Sequence, residues 1–394
     1  MIRLPPMVLV LLLWAAGLGA AAQFGKISVV FPDLRTLYGS VGEAALGLVV
    51  SVVGMVGLIF GTTAGLMVAR IGPRRAIVAA MALGAAMSAV QAGLPAYPVM
   101  ILARILEGVS HLAIVVVGPT MIAGLASEAQ RPLAMTLWSS FFGVTYALLA
   151  LVAPPLLDAG GIPGLFLAHA LWMALLAAVL AATLPPDPPR AAPRTMGLLA
   201  EHIAIYRSPF LAAPALGFCF YTFLYVACLT LLPPETPVQL RAVMAVGMPL
   251  VSIAVSLTLG VRLLARMSAV RLVQWGYAAA IPGFVLLGLG WGNGWGNGWG
   301  MVAGGFWLSG ALGIVQGASF ACIPELNRNA EDRARAAGAI AQLGNLGTTT
   351  GTPVLAAVLA GQGPGLMVLA ALALCAAGIS VHAAQARRRQ AVST

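Results

Sequence analysis

The chain has 394 residues, of which 60% are hydrophobic and only 8% charged. That balance excludes a soluble domain and fits a polypeptide whose solvent is mostly lipid. The formal net charge of +10 does not point to nucleic acid, because the basic residues sit in short clusters between apolar runs, where they act as topology signals.

A membrane-crossing helix needs roughly 20 mostly apolar residues. Segments near 7–25, 41–64, 76–94, 98–124, 133–157, 163–184, 208–232, 241–261, 271–290, 300–323, 335–360 and 365–385 meet that demand. The expected fold is therefore an all-α membrane protein of twelve spans. Arg3, an apolar stretch and "AAAQ" also fit a cleavable signal peptide. Its removal would leave an odd number of spans and spoil the symmetry described below, so the segment is read as the first span. Cys219, Cys228, Cys322 and Cys375 all lie inside apolar segments without CxxC spacing, and read as small hydrophobes rather than as a disulfide or metal framework.

With a cytoplasmic N-terminus, the cytoplasmic linkers hold Arg70, Arg74, Arg75, Arg131, Arg190, Arg194, Arg207, Arg262, Arg266, Arg271, Arg328, Arg333, Arg335 and Arg387 to Arg389. Together with Arg3, these are all the basic residues except Lys26, Arg35, Arg104 and Arg241. The positive-inside rule then places both termini in the cytoplasm of a multi-pass inner-membrane protein. The stretch "LPPDPPRAAPRTMG", 184–197, rich in proline and arginine, is the natural linker between two six-helix halves. The expected division is 1–184, a cytoplasmic linker at 185–207, and 208–394.

The halves resemble each other. "GLMVARIGPRR" at 65–75 recurs loosely as "GVRLLARMSAVR" at 260–271, and "RILEGVSHLAIVVVGP" at 104–119 matches "SGALGIVQGASFACIP" at 309–324, pairing Gly108 with Gly313 and Pro119 with Pro324. Half-length repeats are common in secondary transporters. The offset grows between the two matches across "WGNGWGNGWG", 291–300, which reads as an inserted periplasmic loop with interfacial tryptophans.

"GLMVARIGPRR" resembles the signature loop of the major facilitator superfamily, roughly G-x-x-x-D-R-x-G-R-K, with Gly65, Arg70, Gly72, Arg74 and Arg75 in pattern. Ala69 stands where the family has an acid, and Pro73 where a basic residue is usual. Arg104, Glu107 and Gly108 resemble the family's R-x-x-Q-G motif of the fourth span. The resemblance implies two pseudo-symmetric six-helix bundles around a central cavity open alternately to each side. It also implies that the acid helps to lock the cytoplasmic side, a part that Ala69 cannot play here. The sequence has no phosphate-binding GxxxxGK[ST] loop, so no enzymatic activity, metal or cofactor is expected, and a monomer is.

The charged residues of the fourth span bear on function. Arg104, Glu107 and His111 fall on one helical face, extended by Val115 and Gly118. An uncompensated arginine at that depth costs at least about 2.5 kcal/mol, so the face is expected to meet water, a partner or both. One reading is an Arg104–Glu107 bridge holding helices together, with His111 a satisfied core residue. The other places Arg104 on a small anionic solute oriented by Ser309 or Gln316, the polar counterparts in the tenth span, with Glu107 and His111 carrying protons. Weaker candidates are Lys26, read as snorkelling to the interface, with Tyr221, Tyr225, Gln342 and Asn345. His169 lacks a charged neighbour in sequence and reads as structural, while His202 and His382 lie near the cytoplasmic surface. The expected function is proton-coupled transport of a small organic solute, with an anion slightly preferred. The alternatives are a drug/proton antiporter, whose G-x-x-x-G-P-x-x-G-G motif "ALVAPPLLDAGG" at 150–161 matches poorly, and a scaffold that has lost transport.

Overall fold

The computed structural model describes residues 4–41, 43–187, 198–291 and 296–393, and every regular element within them is helical. Arg3, Arg190, Arg194 and residues 292–295 of the tryptophan-glycine stretch lie outside the described residues.

Helix α1 spans Pro6–Val29, followed by the short α2, Phe31–Leu37. Helices α3, Glu43–Ile71, α4, Pro73–Ala92, and α5, Tyr97–Leu125, come next. Proline occupies the first turn of α1, α4 and α5, where its missing N–H costs no helical hydrogen bond. Helix α6, Arg131–Ser139, and the start of α7, Phe141–Thr183, form one span bent by 44°. Next come α8, Leu198–Arg207, α9, Ala212–Glu235, and α10, Arg241–Val255. Helix α10 continues through a π-helical turn, Ser256–Gly260, into α11, Val261–Leu264. Helices α12, Ala269–Gly290, α13, Trp299–Leu326, and α14, Ala330–Ser393, complete the chain.

Helices α7 and α14 are each two helices meeting at a glycine, Gly161 at φ +61° and Gly363 at φ +79°. Residues other than glycine rarely adopt that backbone region. These breaks separate the fifth span from the sixth and the eleventh from the twelfth. All twelve expected segments fall on helices. Among the described residues, nine helices are long and apolar enough to cross a membrane, and the bent α6–α7 pair makes a tenth. Helix α3 contributes a shorter apolar stretch, Val52–Gly65. The remaining segment, 330–360, is rich in alanine, glycine and threonine, and its Gly344, Asn345, Thr348, Thr349 and Thr352 line the cavity described below.

Helices α1, α3, α4, α5 and α7 pack together, as do α9, α10, α12, α13 and α14. The repeated glycines do equivalent work. A Cβ at Gly108 would stand 2.9 Å from the Val53 carbonyl oxygen of α3, and one at Gly313 would stand 3.0 Å from the Ser252 carbonyl carbon of α10. Each glycine thus lets its helix press onto the matching neighbour. Across the two groups, α3 meets α14, α6 meets α13 and α7 meets α10.

Candidate functional site

A cavity of about 640 Å³ lies between the two groups of helices. Its wall draws Phe24 from α1, His111 from α5, Phe142 and Tyr146 from α7, Tyr221 and Tyr225 from α9, Gln316 from α13 and Asn345 from α14. No aspartate, glutamate, lysine or arginine is among the described wall residues. The wall is strongly aromatic. His111 stands edge-on to Phe24 and Phe142, with ring centroids 5.0 and 6.1 Å away, and Tyr221 stacks on Tyr225 at 5.2 Å.

The expected site residues divide between this wall and the protein interior. His111 and Gln316 line the cavity, as does Val115. Arg104 and Glu107 do not, and both are wholly buried. Arg104 Nε donates to the Val49 carbonyl at 2.8 Å, and Nη1 donates to the Gln23 carbonyl at 2.7 Å and to Glu107 Oε2. The backbones of α1 and α3 thus receive the guanidinium that sequence reasoning aims at water. Ser309 is also buried, off the wall, and its hydroxyl has no partner among the described residues.

The structure adds residues to the charged stripe that helical periodicity could not reveal. Lys26 Nζ donates to Glu107 Oε1 and to Ser88 Oγ, both at 2.7 Å, and faces His169 Nδ1 at 3.3 Å. Gln91 Nε2 donates to Glu107 Oε2 at 2.8 Å. His169 Nε2 faces the Gly19 carbonyl at 3.0 Å and so carries the proton, leaving Nδ1 to accept from Lys26. All three ammonium donors are satisfied. Lys26 therefore belongs to the buried cluster rather than to the interface. One signal did mark it: it is the chain's sole lysine, set in an otherwise uncharged span.

His111 closes the stripe at its deeper end. Its Nδ1 lies 3.0 Å from the Ala20 carbonyl, which can only accept, so Nδ1 carries the proton and Nε2 is left as the acceptor.

On the signature-loop side, the halves close on each other. A Cβ at Gly65 would stand 2.9 Å from the Ala334 carbonyl oxygen of α14. Arg70 is exposed. At Gly72 the backbone has φ +96°, and the next amides, those of Arg74 and Arg75, donate to the Asp187 carboxylate at 2.7 and 3.2 Å. The Arg74 guanidinium donates to the Ala181 carbonyl. The loop is thereby pinned to the end of α7. The side chain of Ala69 is outside the described residues, but acids elsewhere serve this face. Glu201 of α8 pairs with Arg335 of α14 at 2.5 and 3.2 Å, and His202 Nδ1 lies 3.2 Å from Thr62 of α3. Tyr206 donates to Gln342 Oε1 at 2.7 Å, and Gln342 Nε2 donates to the Leu58 carbonyl at 2.8 Å. Helix α8 so ties α3 to α14. Gln316 Nε2 adds a second crossing to the Ser139 carbonyl of α6.

The Major Facilitator Superfamily model matches residues 9–352. The chain belongs to the major facilitator superfamily. This major facilitator is 29% identical over 174 residues to the inner membrane transport protein YajR of Escherichia coli (strain K12), a match spanning 43% of this chain and 36% of that relative. Its fold resembles that of the human organic anion transporter MFSD10 (TETRAN), with TM-score 0.81, 17% identity and coverage of 96% and 100% of the two chains. It also resembles the E. coli fucose:proton symporter FucP, with TM-score 0.75, 14% identity and coverage of 97% and 99%. The proton:xylose symporter XylE is similar as well, with TM-score 0.78, 15% identity and coverage of 96% and 94%. The major facilitator fold also fixes the lesser candidates. Tyr221, Tyr225 and Asn345 stand on the cavity wall, and Gln342 serves the contact between α3 and α14. His382 is fully buried in α14, where its ring would collide with any Cβ at Gly217 of α9.

Proposed function

We propose that this major facilitator is a secondary active transporter of a small organic solute, with the solute held in the cavity between residues 1–184 and 208–394. The observation that carries the reading is a central cavity walled by both halves and shut at the signature-loop end by the contacts of α3 with α14 and of α6 with α13. With that end cytoplasmic, as the arginine distribution supports, the contacts at the signature-loop end close the cavity on its inner side. Residues 185–207 then form a cytoplasmic linker, and both termini are cytoplasmic.

Proton coupling is assigned to His111 and Glu107. His111 stands on the wall with one nitrogen open to accept, and Glu107 lies one helical turn away between Lys26 and Arg104. A proton on Glu107 would loosen its ties to α1, which gives a chemical route from protonation to helix movement. Arg104 is proposed to hold Glu107 in place rather than to touch the solute. The preference for an anion loses its support with that change, since it rested on Arg104 reaching the cavity. Gln316 is proposed to contact the solute, and Ser309 to act through packing.

Flux in reconstituted vesicles tests the reading. Accumulation of a labelled solute driven by a pH gradient and abolished by an uncoupler is expected, and its direction distinguishes uptake from drug/proton antiport. Silence across a broad solute panel would leave the scaffold reading in its place.

A further inference from the structure

Arg104 does not touch the cavity, but its charge reaches further than its contacts. Two of the three ions behind the wall are positive, Lys26 and Arg104, and both lean on the single carboxylate of Glu107. His169 accepts from Lys26 and is neutral, and a proton on His111 would only add to the positive side. The cluster therefore holds one positive charge that it does not balance. Among the described residues no second carboxylate reaches it. Asp33, Asp158 and Glu235 are exposed at or near helix ends, and the other described acids stand at the signature-loop end. An excess charge at membrane depth is costly until a counter-charge comes near it.

That excess lies one helix away from the cavity. Phe24 and Ser28 of α1 line the wall, and Lys26 stands two residues from each, on the opposite side of the helix. The separation is about 10 Å, one helix diameter. Arg104 is near enough to the wall residue Tyr146 for the two to interact electrostatically. At such a distance an uncompensated unit charge in a partly buried setting still favours an opposite charge about tenfold.

The wall itself can receive an anion. Gln316 and Asn345 each commit one amide N–H to a backbone carbonyl and keep a second, and the Tyr221 hydroxyl stands beside them on the lining. The rings of Phe24, Phe142, Tyr221 and Tyr225 supply faces for an apolar body.

From this, resting on the transport reading above, we infer that the cavity takes an organic monoanion with an apolar ring face, whose charge balances the buried Lys26, Arg104 and Glu107 cluster without touching it.

Binding of three probes to the purified full-length protein, read as the rise of Tm with concentration, tests this without requiring transport. Naphthylacetate and naphthylacetamide share shape and differ in charge, and naphthylethylamine carries the opposite charge. Naphthylacetate is expected to bind about tenfold more tightly than the amide, and the amine more weakly than either. Lys26 is off the wall, so Lys26→Met should bring naphthylacetate down to the affinity of the amide and leave the amide within twofold, while Lys26→Arg keeps the preference. Should Lys26→Met fail to fold, the order in the wild-type protein decides. Equal binding of acetate and amide, tightest binding of the amine, binding of none, or an equal loss of both in Lys26→Met overturns the inference. If naphthylacetate is preferred and no solute moves across vesicles, the transport reading fails and this one stands; solute movement without that preference gives the reverse.

Discussion

Lys26 Nζ lies 2.7 Å from Glu107 Oε1, and both side chains are wholly buried. Arg104 holds the other carboxylate oxygen, so one anion serves two cations. Removing that anion is expected to do far more harm than removing either cation, because an uncompensated buried charge costs about 3–5 kcal/mol. Glu107→Gln should therefore lower thermal stability in detergent sharply. Lys26→Met, which leaves a balanced Arg104–Glu107 pair, should cost distinctly less, and adding it to Glu107→Gln should recover part of the loss. Equal effects of the two single variants would contradict the shared-anion account.

Among the described wall residues, His111 is the only histidine. If it carries protons, His111→Gln should keep solute binding and fold while solute accumulation loses its response to a pH gradient. Uptake and exchange assays at matched protein levels separate these effects, and gradient-driven accumulation at the wild-type rate would remove His111 from the coupling route.

The Glu201–Arg335 pair connects α8 to α14, with Glu331 and Asp332 also near Arg335 at 3.1 and 3.4 Å. Glu201→Gln should shift the population away from the state closed at this end. Spin labels placed across that end would read the shift as longer distances. In a double-mutant cycle with Arg335→Gln, the coupling should be about 0.5–3 kcal/mol, and purely additive effects would argue that the pair closes nothing.

Gly61 leaves no room for a side chain: a Cβ there would stand 2.8 Å from the Gln342 amide nitrogen. Gly61→Val is expected to overpack the contact of α3 with α14 by about 1–3 kcal/mol and to favour the opposite opening. Protection of a single cysteine at the signature-loop end from a water-soluble thiol reagent should then decrease.

The spans, the kinship of the two halves and the Arg104–Glu107 pairing were legible because each depends on short-range pattern: hydropathy over one helix, repeated glycines, and residues one turn apart. The placement of the charged stripe was not. Arg104, Glu107 and His111 share a face, yet α1 and α3 cover the first two while the third reaches the cavity, and only tertiary packing decides that. Sequence alone puts Lys26 at the interface, because its partner Glu107 is distant in sequence.

In this chain the groups that would recognise cargo and the ions buried in the membrane occupy separate places. A substitution at a wall threonine would change the lining without unbalancing Lys26, Arg104 and Glu107. Such a scaffold can acquire new cargo by single substitutions while its electrostatic machinery stays intact.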